Sequence, residues 1–91
     1  MAHFEIRKAH TMNKSELRDI AQGLAEELEK DHGVRATWDG DCVRIRGAGV
    51  SGRLTLENEE VKVRVELGLL AAPFKVPLQN EVERYLDRYL R

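Results

Sequence analysis

The chain of 91 residues has few of the features that would cross-link it or carry it into a membrane. It has a single cysteine, Cys42, which cannot form an internal disulfide, and this favours a reducing compartment. Its longest apolar stretch, residues 67–74, is too short to span a bilayer. Residues 1–6 show no basic region followed by an apolar stretch, so we expect no signal peptide and a cytoplasmic location.

Net charge is also nearly absent. The 15 basic residues are balanced by 16 acidic ones, so the charge of the whole chain gives no reason to expect a nucleic acid or an anionic membrane as partner. What is present, 42% hydrophobic and 34% charged residues, is typical of a folded globule. This length is enough for one modest core, so we predict a single domain over residues 1–91.

The N-terminal third of the chain predicts a strand followed by a helix. Phe4 and Ile6 alternate with charged residues, as in a short strand. Asn13 is a favourable N-cap, and Gly33 suits the C-terminal end of the helix because glycine adopts positive φ readily. Between them, apolar residues recur at helical spacing: Leu17, Ile20, Ala21, Leu24 and Leu28.

From Val34 onward apolar residues recur at every second position, which predicts strands. Asp39-Gly40-Asp41 predicts a hairpin turn, residues 47–52 a glycine-rich loop, and residues 57–60 a third turn. Four strands therefore form a meander, and the last of them ends near Leu67. Proline suits the first turn of a helix, so we predict a terminal helix from about Pro77 to the end.

The predicted order is β-α-β-β-β-β-α, an α+β fold with an antiparallel sheet. Each helix has one apolar stripe and the sheet has one apolar face, so both helices are expected to pack on that face. The other face of the sheet is left open, to solvent or to a partner.

No group of residues has the spacing of a catalytic or metal site. The histidines are dispersed, and none is spaced with Cys42 or a carboxylate as a metal site requires. Residues 47–52 match G-x-G-x-x-G, but they lead into a predicted strand, and the phosphate-binding form of this motif needs a helix there. We expect no enzymatic activity, no cofactor and no metal.

The basic residues of the meander all fall on its predicted open side: Arg35, Arg44, Arg46, Arg53, Lys62 and Arg64. Nearly all acidic residues of this region lie in its turns, whereas residues 13–33 carry six acids against three bases. Such a face could bind an anion or an acidic partner. The simpler interpretation, which we favour, is that these long basic side chains form a solvated cover that keeps the open sheet face soluble. Nucleic acid is disfavoured as a partner, because no aromatic residue is interleaved with the arginines to stack on bases.

The apolar segment from Leu69 to Leu78 has two interpretations. It can close one end of the core, or part of it can stay exposed and form a hydrophobic contact surface. The residues predicted for such a surface are Leu70, Phe74, Val76 and Leu78.

Several short motifs occur in a characteristic order. They are Trp38-Asp39-Gly40-Asp41, then Gly49-Val50-Ser51-Gly52, then Val61 to Leu67 leading into Gly68-Leu69-Leu70, and Glu83-Arg84-Tyr85-Leu86 near the end. In this order the chain resembles the polyhydroxyalkanoic acid system protein family, small bacterial proteins associated with polyester-granule genes. The resemblance covers nearly the whole chain and carries over no catalytic residues. It implies a role in polyhydroxyalkanoate metabolism or at the granule surface.

The leading hypothesis is a non-enzymatic, granule-associated or regulatory protein whose partner is the polyester granule or a granule protein. The first alternative is an anion-binding module that uses the basic sheet face. The second is a small carrier of helix-grip type, with a cavity near Trp38 between the sheet and the terminal helix. The sequence does not decide between a monomer and a homodimer.

Overall fold

The computed structural model describes residues 2–91 and has the element order predicted from the sequence. Strand β1 spans Ala2–Ala9, helix α1 Lys14–His32, β2 Arg35–Asp39, β3 Cys42–Gly47, β4 Val50–Leu56 and β5 Glu60–Leu67, followed by a 3₁₀ turn at Ala72–Phe74 and helix α2 at Lys75–Tyr89. The α+β class and the β-α-β-β-β-β-α order are therefore confirmed.

The five strands form one antiparallel sheet in the order β1-β5-β4-β3-β2. Strands β2 to β5 are the predicted meander, and β1 pairs with β5 at the far edge, where Phe4 lies opposite Val65. Because side chains alternate between the faces of a strand, this register puts all the apolar positions of neighbouring strands on one side.

Both helices cover that side, here named the covered face, and together they enclose the core. Helix α1 contributes Leu17, Leu24 and Leu28, and α2 contributes Val82 and Leu86. Burial of each such side chain contributes roughly 1.5–3 kcal/mol, which makes this interface the main source of stability. The opposite side, here named the open face, has no element packed on it within residues 2–91.

Helix α1 begins and ends as its sequence predicts. The Asn13 side chain accepts a hydrogen bond from the Glu16 backbone N–H at 2.9 Å, which satisfies one of the free donors of the first turn. Gly33 ends the helix with φ +68°, and its N–H donates to the Glu29 carbonyl at 3.1 Å. Ile20, predicted for the apolar stripe, is only partly buried, whereas Ala25 is fully buried.

The glycine-rich loop predicted at residues 47–52 is wrong in length. Strand β3 continues to Gly47 and β4 begins at Val50, so the connection is a two-residue turn at Ala48 and Gly49. Both turn residues have positive φ, +54° and +78°, as the tightest hairpin turns require. Three glycines in six residues suggested an irregular loop, but cross-strand pairing extends β4 through Gly52.

The terminal helix starts two residues earlier than predicted, at Lys75 instead of about Pro77. Pro77 therefore occupies the third helical position. This is tolerated because the first four N–H groups of a helix have no partner within it, so the missing N–H of proline removes no bond. Pro73 lies in the preceding 3₁₀ turn for the same reason.

Candidate functional surfaces

The predicted basic face is present and lies on the open side of the sheet. All six basic residues named from the sequence point away from the helices, and none of them is in the core. Strand alternation alone accounts for this, because each of them is adjacent in its own strand to an apolar residue that faces the helices.

The strand register adds an arrangement that the sequence did not show. Arg44 of β3 lies directly opposite Arg53 of β4, and Arg53 lies directly opposite Arg64 of β5. Three guanidinium-bearing side chains thus stand side by side on adjacent strands, and we name them the arginine row. Adjacent strands are roughly 4.8 Å apart, so the row is roughly 10 Å long.

Carboxylates approach the two ends of the row and leave its centre unpaired. Arg44 Nη2 lies 3.4 Å from Asp39 Oδ2 at one end. At the other end Arg64 lies 3.8 Å from Glu5 Oε1 and 3.7 Å from Glu66 Oε1. Within residues 2–91 no carboxylate comes within 4.0 Å of Arg53.

The other three basic residues predicted for this face divide in the same way. Lys62 Nζ lies 3.2 Å from Glu57 Oε2. Arg46 lies opposite Arg35 on the neighbouring strand, and neither has a carboxylate within 4.0 Å in the part of the chain described. A shallow depression of about 320 Å³ follows the row and includes Arg46 and Ser51, with Glu66 as its one acidic side chain.

The second candidate surface lies where β5 leads into α2. Leu69, Leu70, Phe74 and Val76 are all exposed, with Leu70 91% and Phe74 57% accessible to solvent. We name these four residues the apolar tip. Among residues 2–91 the only other exposed large hydrophobic side chain is Tyr89.

The prediction of a hydrophobic contact surface named four residues, and it is wrong for Leu78. It is only 4% exposed and belongs to the core, because it lies on the inward side of α2 in line with Val82 and Leu86. Leu69, which is 78% exposed, was not included in that prediction. The apolar run from 69 to 78 contained it, but hydrophobicity alone does not tell which residues of a loop face outward.

Hydrogen bonds hold the apolar tip in place. The Gly68 N–H donates to the Gly49 carbonyl in the β3–β4 turn at 2.8 Å, and the Ala71 N–H donates to the Gly68 carbonyl at 3.0 Å. The Ala71 side chain is buried and approaches Gly49 closely, since a Cβ placed on Gly49 would lie 3.2 Å from it. The segment is therefore fixed to the sheet at Ala71 while its larger apolar side chains face solvent.

The cavity predicted for a carrier protein is not found in the described residues. The enclosed space between the sheet and the helices is about 20 Å³, too small for an acyl chain. Trp38 also lies against α1, not against the terminal helix: its indole Nε1 donates to Gln22 Oε1, and the Arg18 guanidinium stacks 4.3 Å above its ring. The structure gives the carrier hypothesis no support.

A third group of polar residues joins the two helices. Carboxylate oxygens of Glu27 and Asp31 on α1 and of Glu81 on α2 lie within 4.8 Å of one another, and His32 Nε2 lies 2.8 Å from Glu81 Oε1. Partial burial, followed by the hydrogen-bonding and charge of Glu81, raises the pKa of the Glu27 carboxyl. The sequence did not predict this cluster, because residues 27 and 81 meet only through helix packing.

All three histidines lie at or near the ends of secondary-structure elements, and His10 has a structural role there. His10 is buried, its Nδ1 accepts from the Met12 N–H, and its Nε2 lies 2.8 Å from the Glu57 carbonyl. Both ring nitrogens are thus used to hold the segment after β1 against the β4–β5 turn, and none is left to bind a ligand.

The fold and its surfaces define a small α+β protein with two exposed candidate surfaces and, among the residues described, no enclosed ligand cavity of useful size. The family described as "Putative polyhydroxyalkanoic acid system protein" has a model that matches residues 4–90, and the chain belongs to this family. The resemblance based on the short motifs is confirmed. No curated protein and no solved structure matches the chain. None of the described helices is long and apolar enough to cross a membrane.

Proposed function

We propose that this protein is a non-enzymatic, cytoplasmic component of the polyhydroxyalkanoate system that adsorbs to the hydrophobic surface of the polyester granule. Family membership supports the polyester context. The observation that carries the mechanism is the apolar tip, where four large apolar side chains are exposed within eight residues of chain, 69–76.

This concentration of apolar surface distinguishes the tip from the rest of the protein. Isolated exposed hydrophobic residues are common on soluble proteins, but contiguous ones usually mark a contact surface. Transfer of one such side chain from water to an apolar surface contributes up to roughly 1.5–3 kcal/mol. Leu70 and Phe74 together therefore supply enough free energy for reversible adsorption without any specific polar contact.

The rigidity of the tip also supports adsorption. Because Ala71 is buried and the segment is hydrogen-bonded to the β3–β4 turn, little backbone order has to be gained on contact. A polyester surface offers ester carbonyls and aliphatic carbon, and an exposed apolar tip needs no shape-matched groove to meet it. A granule protein would require such a groove, so we favour the polymer itself as the partner.

The test is adsorption of purified protein to polyhydroxybutyrate particles, measured by sedimentation. Leu70→Asp and Phe74→Asp are expected to lower the bound fraction at least about tenfold, because each removes apolar contact area and adds a charge that must lose its hydration. Asn80→Asp, on the exposed side of α2, is the matched control for added charge and should bind as the wild type does.

Two results would contradict the proposal. One is equal adsorption of the wild type and the Leu70→Asp variant. The other is a wild-type protein that sediments as a dimer and becomes monomeric on Leu70→Asp substitution, since the tip would then be a self-association surface. Leu70 is 91% exposed, so loss of folding is not expected to confuse the comparison.

A further inference from the structure

The arginine row contradicts a general rule of sheet stability. Side chains directly opposite each other on adjacent strands interact closely, and like charges in this position are destabilising. Arg44, Arg53 and Arg64 nonetheless occupy consecutive strands in direct register. Neutral residues are compatible with the same face, since Thr37 extends the row on β2 and Thr55 lies two residues from Arg53.

Solvation of an open sheet does not require this arrangement. A solvated cover is served equally well by alternating charges, and the sheet has such an alternation at the β1 end of the row, where Glu5 lies opposite Arg64. At the centre of the row it does not, because Arg53 has two arginines as cross-strand neighbours and no carboxylate within 4.0 Å among residues 2–91. Unfavourable local choices of this kind are expected mainly at functional sites.

The surroundings of Arg53 are suited to a ligand. The depression of about 320 Å³ runs along the row and is lined by the arginines together with Arg46 and the hydroxyl-bearing Ser51. Guanidinium groups donate paired hydrogen bonds that match the oxygens of phosphate and carboxylate. Several such groups at short spacing favour a ligand that carries more than one negative charge.

We propose that Arg44, Arg53 and Arg64 form a binding site for a compact polyphosphate group of two or three phosphates. Its charge complements the row, and its length fits within the roughly 10 Å between the outer arginines. Arg53 contacts the central part of the anion, while Arg44 and Arg64 exchange their long contacts with Asp39 and with Glu5 and Glu66 for shorter ones to phosphate oxygens. This site is separate from the apolar tip and does not depend on the proposed adsorption.

We expect the site to recognise only the phosphate groups of a ligand and not a base. No phenylalanine, tyrosine or tryptophan side chain lies on the open face within residues 2–91, and the one ring there is the imidazole of His3 on edge strand β1, so a nucleobase has none of the large aromatic rings on which bases stack. Inorganic tripolyphosphate and ATP should therefore bind with similar affinity. Binding of single-stranded RNA that is much tighter than that of tripolyphosphate would overturn the assignment in favour of a nucleic-acid surface.

Titration calorimetry and NMR with inorganic tripolyphosphate at low salt provide the test. Arg53→Gln should weaken binding at least about tenfold, the effect of losing charged hydrogen bonds. Arg7→Gln is the matched control, because Arg7 lies on the same face but is paired with Glu60 at 3.0 Å outside the row, and it should change the affinity by no more than about twofold. Glu66→Gln removes the acidic residue of the depression and should tighten binding about two- to fivefold.

The same variant distinguishes a binding role from a structural one. Arg53→Gln relieves repulsion in the row, so its melting temperature at low salt should rise by about 1–5 °C while binding is lost. Equal weakening by Arg53→Gln and Arg7→Gln, or no saturable binding at millimolar tripolyphosphate, would overturn the proposal. Because Leu70→Asp should leave tripolyphosphate binding unchanged, failure of one proposal can be told from failure of the other.

Discussion

The two faces of the sheet are made by the same strands, yet they differ in almost every physical respect. On the covered face, Val43, Leu54 and Val63 lie side by side beneath the helices and are at most 4% exposed. On the open face, at the residue adjacent to each of these in its strand, Arg44, Arg53 and Arg64 lie side by side in water. Burial makes the first row favourable, whereas the members of the second row repel one another. The difference indicates that the covered face maintains the fold and that the open face is available for binding.

The largest expected effect comes from replacing a buried leucine by alanine, with the same replacement of an exposed leucine as the comparison. Leu86→Ala, at a position 1% exposed between α2 and the sheet, should lower the free energy of unfolding by about 2–5 kcal/mol, because it leaves a cavity. Leu70→Ala, in the apolar tip, should change it by less than about 0.5 kcal/mol. Urea denaturation of both variants checks this, and similar losses would mean that the tip is part of the core.

A smaller effect is expected from exchanging valine and threonine between the faces. Val63→Thr places a hydroxyl on the covered face without a partner and should cost about 1–3 kcal/mol. Thr55→Val, on the open face of the adjacent strand, should be within about 0.5 kcal/mol of wild type. The two substitutions are nearly isosteric, and Thr55→Val loses only the weak 4.0 Å contact of the Thr55 hydroxyl with Cys42 Sγ, so thermal unfolding of the pair mainly compares burial on the two faces. Equal costs would contradict the two-face description.

The β3–β4 turn keeps the strands in the register on which both faces depend. Ala48 has φ +54°, a conformation that favours glycine or asparagine over alanine. Ala48→Asn should therefore stabilise the protein by about 0.5–1 kcal/mol, since Asn-Gly is the preferred pair for such a turn. Ala48→Val should do the opposite, and unfolding curves in which both variants shift in the same direction would show that the turn is not strained.

The smallest effect concerns the carboxylate cluster of Glu27, Asp31 and Glu81 between the two helices, and it depends on pH. The pKa of the Glu27 carboxyl is raised in the folded protein by partial burial and by Glu81, so the protonated form is the one that folding favours. The stabilising contribution is complete below the ordinary value of 4.5 and is lost as pH rises through the higher folded value. Glu27→Gln should therefore be slightly more stable than wild type at pH 7, and the advantage should shrink as the pH falls.

Thermal unfolding between pH 4 and pH 7 measures that difference. Glu59→Gln is the control, because its side chain is exposed in the β4–β5 turn, away from the helices. Glu27 is only partly buried and solvent screens its charge, so a shift of no more than a few degrees is expected. A constant difference between Glu27→Gln and wild type at every pH would contradict the assignment.

Much of the fold was predictable because its signals are local. Alternation in β2 to β5 and the helical spacing in α1 report directly which side of each element is apolar, and Asn13 and Gly33 mark the ends of α1 by their own backbone preferences. The two errors occurred where local signals compete. Gly47, Gly49 and Gly52 suggested a loop, but cross-strand pairing continues through Gly52, and Pro77 suggested a helix start although it is tolerated at the third position.

The candidate surfaces were predicted less completely. The sequence placed Arg44, Arg53 and Arg64 on one face, but not opposite one another, because that depends on the strand register and on the length of the turn at Ala48 and Gly49. It identified the apolar segment but could not separate Leu78, which faces the core, from Leu70, which faces water. Leu78 faces the core because it shares the inward side of α2 with Val82 and Leu86, whereas Leu70 lies in the turn before that helix.

The sequence by itself determined the α+β class, the order of the elements and the two-sided character of the strands, because periodicity of 2 or 3.6 is a property of consecutive residues. Only the tertiary structure decided which residues share a surface. The arginine row is set by cross-strand register, the apolar tip by the anchoring of Ala71 against Gly49, and the Glu27–Glu81 contact by helix packing. In each case the partners are distant in the chain, and no local pattern records their meeting.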